Sequence, residues 1–82
     1  MKEAGNLARY SVYIEFINGK VYEFETVNHP LHIKPIHVIG AEVILTEEDH
    51  AFNRLDVMKM DVREIGNERI DYFYRAMENK RE

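Results

Sequence analysis

The chain has 82 residues, of which 15 are acidic and 11 basic, with a formal net charge of −4 and no cysteine. The absence of cysteine excludes disulfides, thiolate metal ligands and cysteine nucleophiles, and it is typical of a cytoplasmic protein. The acidic balance argues against nucleic acid binding, and the longest aliphatic run, Val43-Ile44-Leu45, is far shorter than the roughly 20 residues that cross a membrane.

The beginning of the chain is mixed and polar. Residues 1–8 are predicted to form a flexible N-terminus, and residues 9–82 a single globular domain, as expected for this length. Domains this small often need reinforcement beyond their hydrophobic core. Without disulfides, the remaining means are self-association or a metal site built from histidine and carboxylate ligands.

A β-hairpin is predicted over residues 10–26, because two runs rich in β-branched and aromatic residues flank Asn18-Gly19. A two-residue loop would mix apolar and acidic side chains on one face of this hairpin. A three-residue loop over residues 17–19 collects the apolar side chains on one face instead, so burial favours it. Gly19 then takes the left-handed position of the turn. The cross-strand pairs predicted by this register include Val12 with Phe24 and Ile14 with Tyr22.

The middle of the chain is harder to interpret. Two prolines bound residues 28–35 and favour an extended connector or an edge segment. Residues 36–46 are predicted to form a third strand, with a bulge or bend at Gly40. Residues 51–65 fit a helix and a strand equally well, since their apolar residues share one helical stripe but also alternate with charged ones. The alternating residues are Met58, Met60 and Val62.

A C-terminal amphipathic helix is predicted from Asn67 onward. Apolar residues at i, i+3, i+4 and i+7 share one helical face. Asn67 is a suitable N-cap, and basic residues near the end suit the helix dipole. The residues of this face are Ile70, Phe73, Tyr74 and Met77.

Together these elements predict an α+β fold, in which the C-terminal helix covers one face of a small antiparallel sheet of three or four strands. The alternative is a small all-β SH3-like barrel with a terminal helix. The N-terminal hairpin is compatible with both folds. The predicted core consists of Val12, Ile14, Phe16, Tyr22, Phe24, Val43, Leu45, Leu55, Met58, Val62, Ile70, Phe73 and Met77.

Three of the four histidines lie in the stretch "HPLHIKPIH", from His29 to His37. Their spacing does not bring them to one side of a strand or of a helix. His37 and His50 are the candidate metal ligands, completed by a carboxylate of Glu47–Asp49, although no metal-binding signature is present. The simpler interpretation is that the histidines of the stretch belong to a connector and bind nothing.

No catalytic residue and no cofactor are predicted. The single serine, Ser11, falls on the polar face of the hairpin. The sequence around it has no nucleophile motif, and no general base is evident. The four glycines lie too far apart for a loop that cradles phosphate. These absences argue against covalent catalysis and against nucleotide binding.

The sequence therefore predicts a small non-enzymatic protein-binding module with an accessory or regulatory role, which self-associates or binds another protein in the cytoplasm. An exposed sheet edge and surplus aromatic and methionine side chains are typical of such interfaces. Two alternatives are a metal-binding protein that uses histidine and carboxylate ligands, and a small β-fold that binds single-stranded nucleic acid. The predicted interaction residues are Tyr13, His32, Ile36, Met60 and Tyr72.

Overall fold

The computed structural model describes residues 8–67 and 69–74 of the chain. Within these residues the chain forms strands β1 (Tyr10–Phe16), β2 (Val21–Thr26), β3 (Ile36–Val38), β4 (Ala41–Leu45), β5 (Ala51–Asn53), β6 (Val57–Glu64) and β7 (Arg69–Tyr74). Two single-turn 3-10 helices, Pro30–His32 and Arg54–Asp56, precede β3 and β6. The strands form two antiparallel sheets: sheet A has the order β2-β1-β6-β7, and sheet B has the order β3-β4-β5.

The predicted α+β fold is wrong, because the described residues contain no helix of seven or more residues. The predicted C-terminal helix is wrong as well: Arg69–Tyr74 form a strand that pairs antiparallel with β6. Its apolar residues suit both periodicities, and the hydrogen-bond ladder with β6 decides for the strand. The alternative of a barrel with a terminal helix fails for the same reason, and Met77 lies outside the described residues. No described helix is long and apolar enough to span a membrane.

The N-terminal hairpin has the predicted register. Val12 pairs with Phe24 and Ile14 with Tyr22. The Phe16 N–H donates to the Lys20 carbonyl at 2.8 Å, which closes a three-residue loop. Gly19 has a φ of +91°, a conformation that glycine adopts without the steric cost that a Cβ brings. The prediction for this hairpin is therefore confirmed.

The structure also decides the ambiguous middle of the chain. Residues 51–65 form β5, a 3-10 turn and β6, so the strand interpretation is the correct one. β6 pairs with β1 on one side and β7 on the other, which makes it a central strand of sheet A. The predicted single strand over residues 36–46 is instead the β3–β4 hairpin, with Gly40 (φ +78°) in its turn.

Both sheets contribute to one core. Sheet A supplies most of the buried apolar side chains, and sheet B supplies Ile44 and Phe52, which are cross-strand partners. Leu31 and Ile33 of the proline-rich connector pack against this core. The predicted core members Leu45 and Leu55 are exposed instead. The buried apolar residues are Val12, Ile14, Phe24, Ile44, Phe52, Val57, Met60 and Val62.

Candidate functional site

Two outward sheet faces carry the features expected of binding surfaces. Side chains of a strand alternate between its two faces. In sheet A, Val12 and Met60 point into the core, so the neighbouring odd-numbered positions of β1 and β6 point away from it. We call this outward side of sheet A the tyrosine face. Its residues are Ser11, Tyr13, Glu15, Val21, Glu23, Glu25, Lys59, Asp61, Arg63, Ile70, Tyr72 and Tyr74.

One row of the tyrosine face crosses all four strands of sheet A. In this row Glu23 pairs with Tyr13, Tyr13 with Asp61, and Asp61 with Tyr72. Neighbouring strands lie about 4.8 Å apart, so the two tyrosines flank the aspartate with their Cα atoms about 10 Å from each other. The predicted interaction residues Tyr13 and Tyr72 are thus brought together, on either side of Asp61.

A cavity of about 280 Å³ opens on this row. The Asp61 Oδ1 atom is buried, and no group of the described residues forms a hydrogen bond with it. The other oxygen, Oδ2, lies 3.9 Å from the Lys59 ammonium. A buried carboxylate oxygen without a hydrogen-bond donor is costly, so Asp61 stands out among the residues that line the cavity. The residues lining the cavity are Ser11, Tyr13, Asp61, Arg63, Ile70 and Tyr72.

Both aromatic walls of this cavity are held in place. The Tyr13 hydroxyl donates a hydrogen bond of 2.6 Å to the Glu15 carboxylate. That bond is the main reason why the pKa of Tyr13 is raised, and nearby carboxylates, including Glu23 and Asp61, add to the shift. On the other side, the ring of Tyr72 stacks on Tyr74 with centroids 5.9 Å apart.

The protein's own Lys59 shows how the tyrosine face holds a cation. Its ammonium lies 5.9 Å from the ring centroid of Tyr13 and 6.0 Å from that of Tyr74. Both distances are within the range of cation–π attraction. Together with the Asp61 carboxylate, these rings form a cation site beside the middle of the row.

The outward side of sheet B has a different character. Because Ile44 and Phe52 are buried, the residues that alternate with them point outward. We call the resulting patch the apolar face. It contains no charged residue, and its polar residue is Asn53, which pairs with Val43. Its apolar residues are Ile36, Val38, Ala41, Val43, Leu45 and Ala51.

The apolar face is open to solvent at its β3 side. In the part of the chain that the structure describes, β3 pairs only with β4, so its other edge has no neighbouring strand. Ile36 is 52% exposed and Val38 55% exposed. Ile39, at the tip of the β3–β4 hairpin, is fully exposed. Exposed aliphatic side chains that are contiguous in this way are typical of interaction sites.

The candidate metal ligands lie apart. His37 is opposite Glu42 on β4, whereas the carbonyl of His50 accepts from the Thr46 N–H. The two histidines are thus separated by four residues along the strand, about 13 Å. Among residues 8–67 and 69–74, no group of three or more histidine, aspartate or glutamate side chains is placed to hold a metal ion.

Each of these two histidines has a different structural neighbourhood. His37 is largely exposed and lies 3.7 Å from the Glu42 carboxylate, which also accepts from the Arg54 guanidinium. His50 shares a hydrogen bond of 2.8 Å with the Tyr22 hydroxyl and stacks on Phe24. The ring of His50 therefore packs against the edge of the core.

His29 connects the proline-bounded connector, residues 28–35, to sheet A. His29 Nδ1 accepts from the Leu31 N–H, so in the neutral ring Nε2 carries the proton and donates to Asp71 at 2.7 Å. The imidazole of His32 stacks on that of His29, with centroids 4.0 Å apart. The hydrogen bond from His29 lowers the pKa of the Asp71 carboxyl, and the nearby Arg69 contributes to the shift.

Comparisons with protein-family models, with curated proteins and with solved structures found no match for this chain.

The predicted interaction residues divide among several places. Ile36 lies on the apolar face, and His32 is exposed on the connector. Met60 is buried in the core at 1% exposure, because the even-numbered residues of the middle of β6 point inward. Asp61 was missed, although the strand interpretation of residues 51–65 places it on the face opposite Met60 and Val62.

Proposed function

We propose that this protein is a small non-enzymatic binding module that self-associates, with the apolar faces of two copies packed against each other. The uncharged apolar face is the observation that carries this proposal. Two sheets packed face to face, about 10 Å apart, form the common sandwich arrangement. In the dimer, sheet B of one copy lies on sheet B of the second.

The composition of the apolar face favours a second copy as its occupant. About a third of the chain is charged and the net charge is −4, so most contacts between identical surfaces would bring like charges together. The apolar face avoids this repulsion, because its six apolar residues and Asn53 are all uncharged. An isologous contact places the same patch on both sides, and burying the aliphatic groups contributes about 25 cal/mol for each Å² removed from water.

The size of the protein points in the same direction. Among the described residues, sheet B contributes only Ile44 and Phe52 to the buried apolar core, and both lie on the side opposite the apolar face. Small domains commonly gain stability by oligomerisation. Dimerisation through the apolar face buries the other side of sheet B.

Sedimentation velocity of the full chain, from micromolar to millimolar concentration, tests this proposal with two matched substitutions. Val38→Lys places an ammonium on the apolar face. Val21→Lys makes the same change on β2, another edge strand, where the valine is 52% exposed. An uncompensated charge buried in an interface costs about 3–5 kcal/mol. A two-fold symmetric interface contains the substituted lysine of both copies, so this cost arises twice.

We expect the unmodified chain and Val21→Lys to sediment as dimers and Val38→Lys as a monomer. A chain that remains monomeric at the highest concentration overturns the proposal. So does a dimer that both substitutions weaken equally, because the contact then lies elsewhere.

A further inference from the structure

We infer that the cavity of the tyrosine face binds an arginine side chain of a partner protein, with the guanidinium between Tyr13 and Tyr72 and its N–H groups donating to the Asp61 carboxylate. This site lies on sheet A, and it is independent of the self-association proposed for sheet B. Three properties of the cavity lead to this ligand: the buried carboxylate oxygen, the aromatic walls and the surrounding charge.

Asp61 has a carboxylate oxygen that lacks a hydrogen-bond donor. Asp61 lines the cavity, and its buried Oδ1 atom has no hydrogen-bond partner among the described residues. A hydrogen bond in which the donor or the acceptor is ionised is about twice as strong as a neutral one, and a guanidinium can form two parallel bonds to one carboxylate. A guanidinium therefore compensates the Asp61 carboxylate better than a hydroxyl or an amide does.

The aromatic walls favour a flat cation. Tyr13 and Tyr72 stand on the strands on either side of Asp61, and contacts with Glu15 and Tyr74 hold their rings in place. A guanidinium is planar and stacks on aromatic rings, whereas an ammonium is compact and strongly hydrated. The ammonium position of this surface is already taken by Lys59, beside Asp61 Oδ2.

The charge of the tyrosine face is negative. Its outward positions carry four carboxylates and two cations, which gives −4 + 2 = −2. The carboxylates are Glu15, Glu23, Glu25 and Asp61, and the cations are Lys59 and Arg63.

Arg63 restricts the orientation of a bound guanidinium. It lies two residues from Asp61 along β6 and borders the cavity next to Ser11. A bound guanidinium must therefore point toward Asp61 and away from Arg63. A carbonyl oxygen of the same peptide then faces Arg63 and the Ser11 hydroxyl, which are both donors. A peptide with an internal arginine supplies both groups.

The volume of the cavity limits the ligand to a side chain. At about 280 Å³, the cavity is slightly smaller than typical small-molecule pockets, which measure about 300–1,000 Å³. It is open on the sheet face, so a side chain can enter while its peptide remains on the surface.

The test uses the full chain and two blocked tripeptides, acetyl-Gly-Arg-Gly-amide and the same peptide with citrulline in place of arginine. Citrulline keeps the planar shape and about three of the five N–H donors of arginine, but it has no charge and carries a carbonyl oxygen in place of one amino group. Binding is followed by the nitrogen–proton correlation spectrum at low salt, through the amide signals of Asp61 and Tyr72. We expect saturable shifts with the arginine peptide and at least about tenfold weaker binding of the citrulline peptide, since a charged hydrogen bond contributes this much or more.

Three variants locate the site. Asp61→Asn removes the charge and should weaken binding of the arginine peptide at least about tenfold. Asp49→Asn makes the same change in the β4–β5 loop, where the positive φ of +69° suits asparagine, and it should bind like the unmodified chain. Tyr72→Leu removes one aromatic wall at a position that is 54% exposed, so it keeps the fold and decides the question if Asp61→Asn does not fold.

Equal binding of the two tripeptides overturns the inference, as does binding that survives both Asp61→Asn and Tyr72→Leu. A single-stranded oligonucleotide that shifts the same signals at lower concentration than the arginine peptide also overturns it, because the tyrosines then serve as a stacking platform for bases.

Discussion

Ile44→Ala tests whether sheet B is joined to sheet A through the shared core. Ile44 is 1% exposed and pairs across the sheet with Phe52, and these two residues are the buried apolar contribution of sheet B. Removing most of the Ile44 side chain should therefore weaken the packing between the two sheets and lower the stability of the whole fold.

The loss of stability can be worked out from the atoms removed. The substitution deletes three carbon atoms, and each buried CH₂ group contributes about 0.8 kcal/mol, which gives about 2.4 kcal/mol. The cavity left behind adds to this, and measured losses for such changes are about 2–5 kcal/mol. We expect a decrease of about 3–4 kcal/mol in the free energy of unfolding, compared with a total of about 4–12 kcal/mol for a chain of this length.

Urea denaturation followed by circular dichroism measures this decrease, and Ile17→Ala is the matched control. Ile17 is 48% exposed in the loop between β1 and β2, so its substitution should change stability by about 0.5 kcal/mol or less. With both variants at one protein concentration, a decrease of about 3 kcal/mol moves the midpoint by about 2 M urea. Equal losses in the two variants would refute the assignment of Ile44 to a core between the sheets.

The bond from His29 to Asp71 predicts a pH dependence. The pKa of Asp71 is lowered in the folded chain, so its contribution to stability is present above the ordinary pKa of aspartate and is lost as the pH falls below about 4. In urea titrations the unmodified chain should be more stable than Asp71→Asn at neutral pH, and this difference should narrow in acid; a constant difference would contradict the proposed origin of the pKa shift. Gly19→Ala should cost about 1–2 kcal/mol, because φ is +91° and the strain comes from the backbone alone. No atom lies within 4 Å of the added Cβ. Gly19→Asn should lose less stability than Gly19→Ala in the same assay, because asparagine tolerates the left-handed region better. Equal losses would show that backbone strain is not the cause.

The first hairpin could be predicted in detail because its determinants are local. The turn residues Asn18-Gly19 restrict the loop, and the alternation of apolar and acidic residues selects one register from two. Tyr13 could be placed on the outward face for the same reason. Nothing outside residues 10–26 was needed for either conclusion.

The candidate site could be predicted only in part, because it combines residues from distant parts of the chain. Tyr13 and Tyr72 were both predicted as interaction residues, but nothing in the sequence indicates that they flank one aspartate. Asp61 connects them because β6 lies between β1 and β7 in sheet A. The arrangement therefore depends on strand order, which local patterns do not contain.

The sequence by itself determined the antiparallel hairpin, its register and the side of it that is buried, because neighbouring residues and a single turn suffice for these features. Only the tertiary structure decided residues 51–67 and 69–74, where the apolar residues suit a helical stripe and a strand alternation at the same time. In β6 and β7 the backbone groups pair with strands from elsewhere in the chain. This ladder, together with burial of Met60 and Val62 in the core, outweighs the helical preference of the isolated segment.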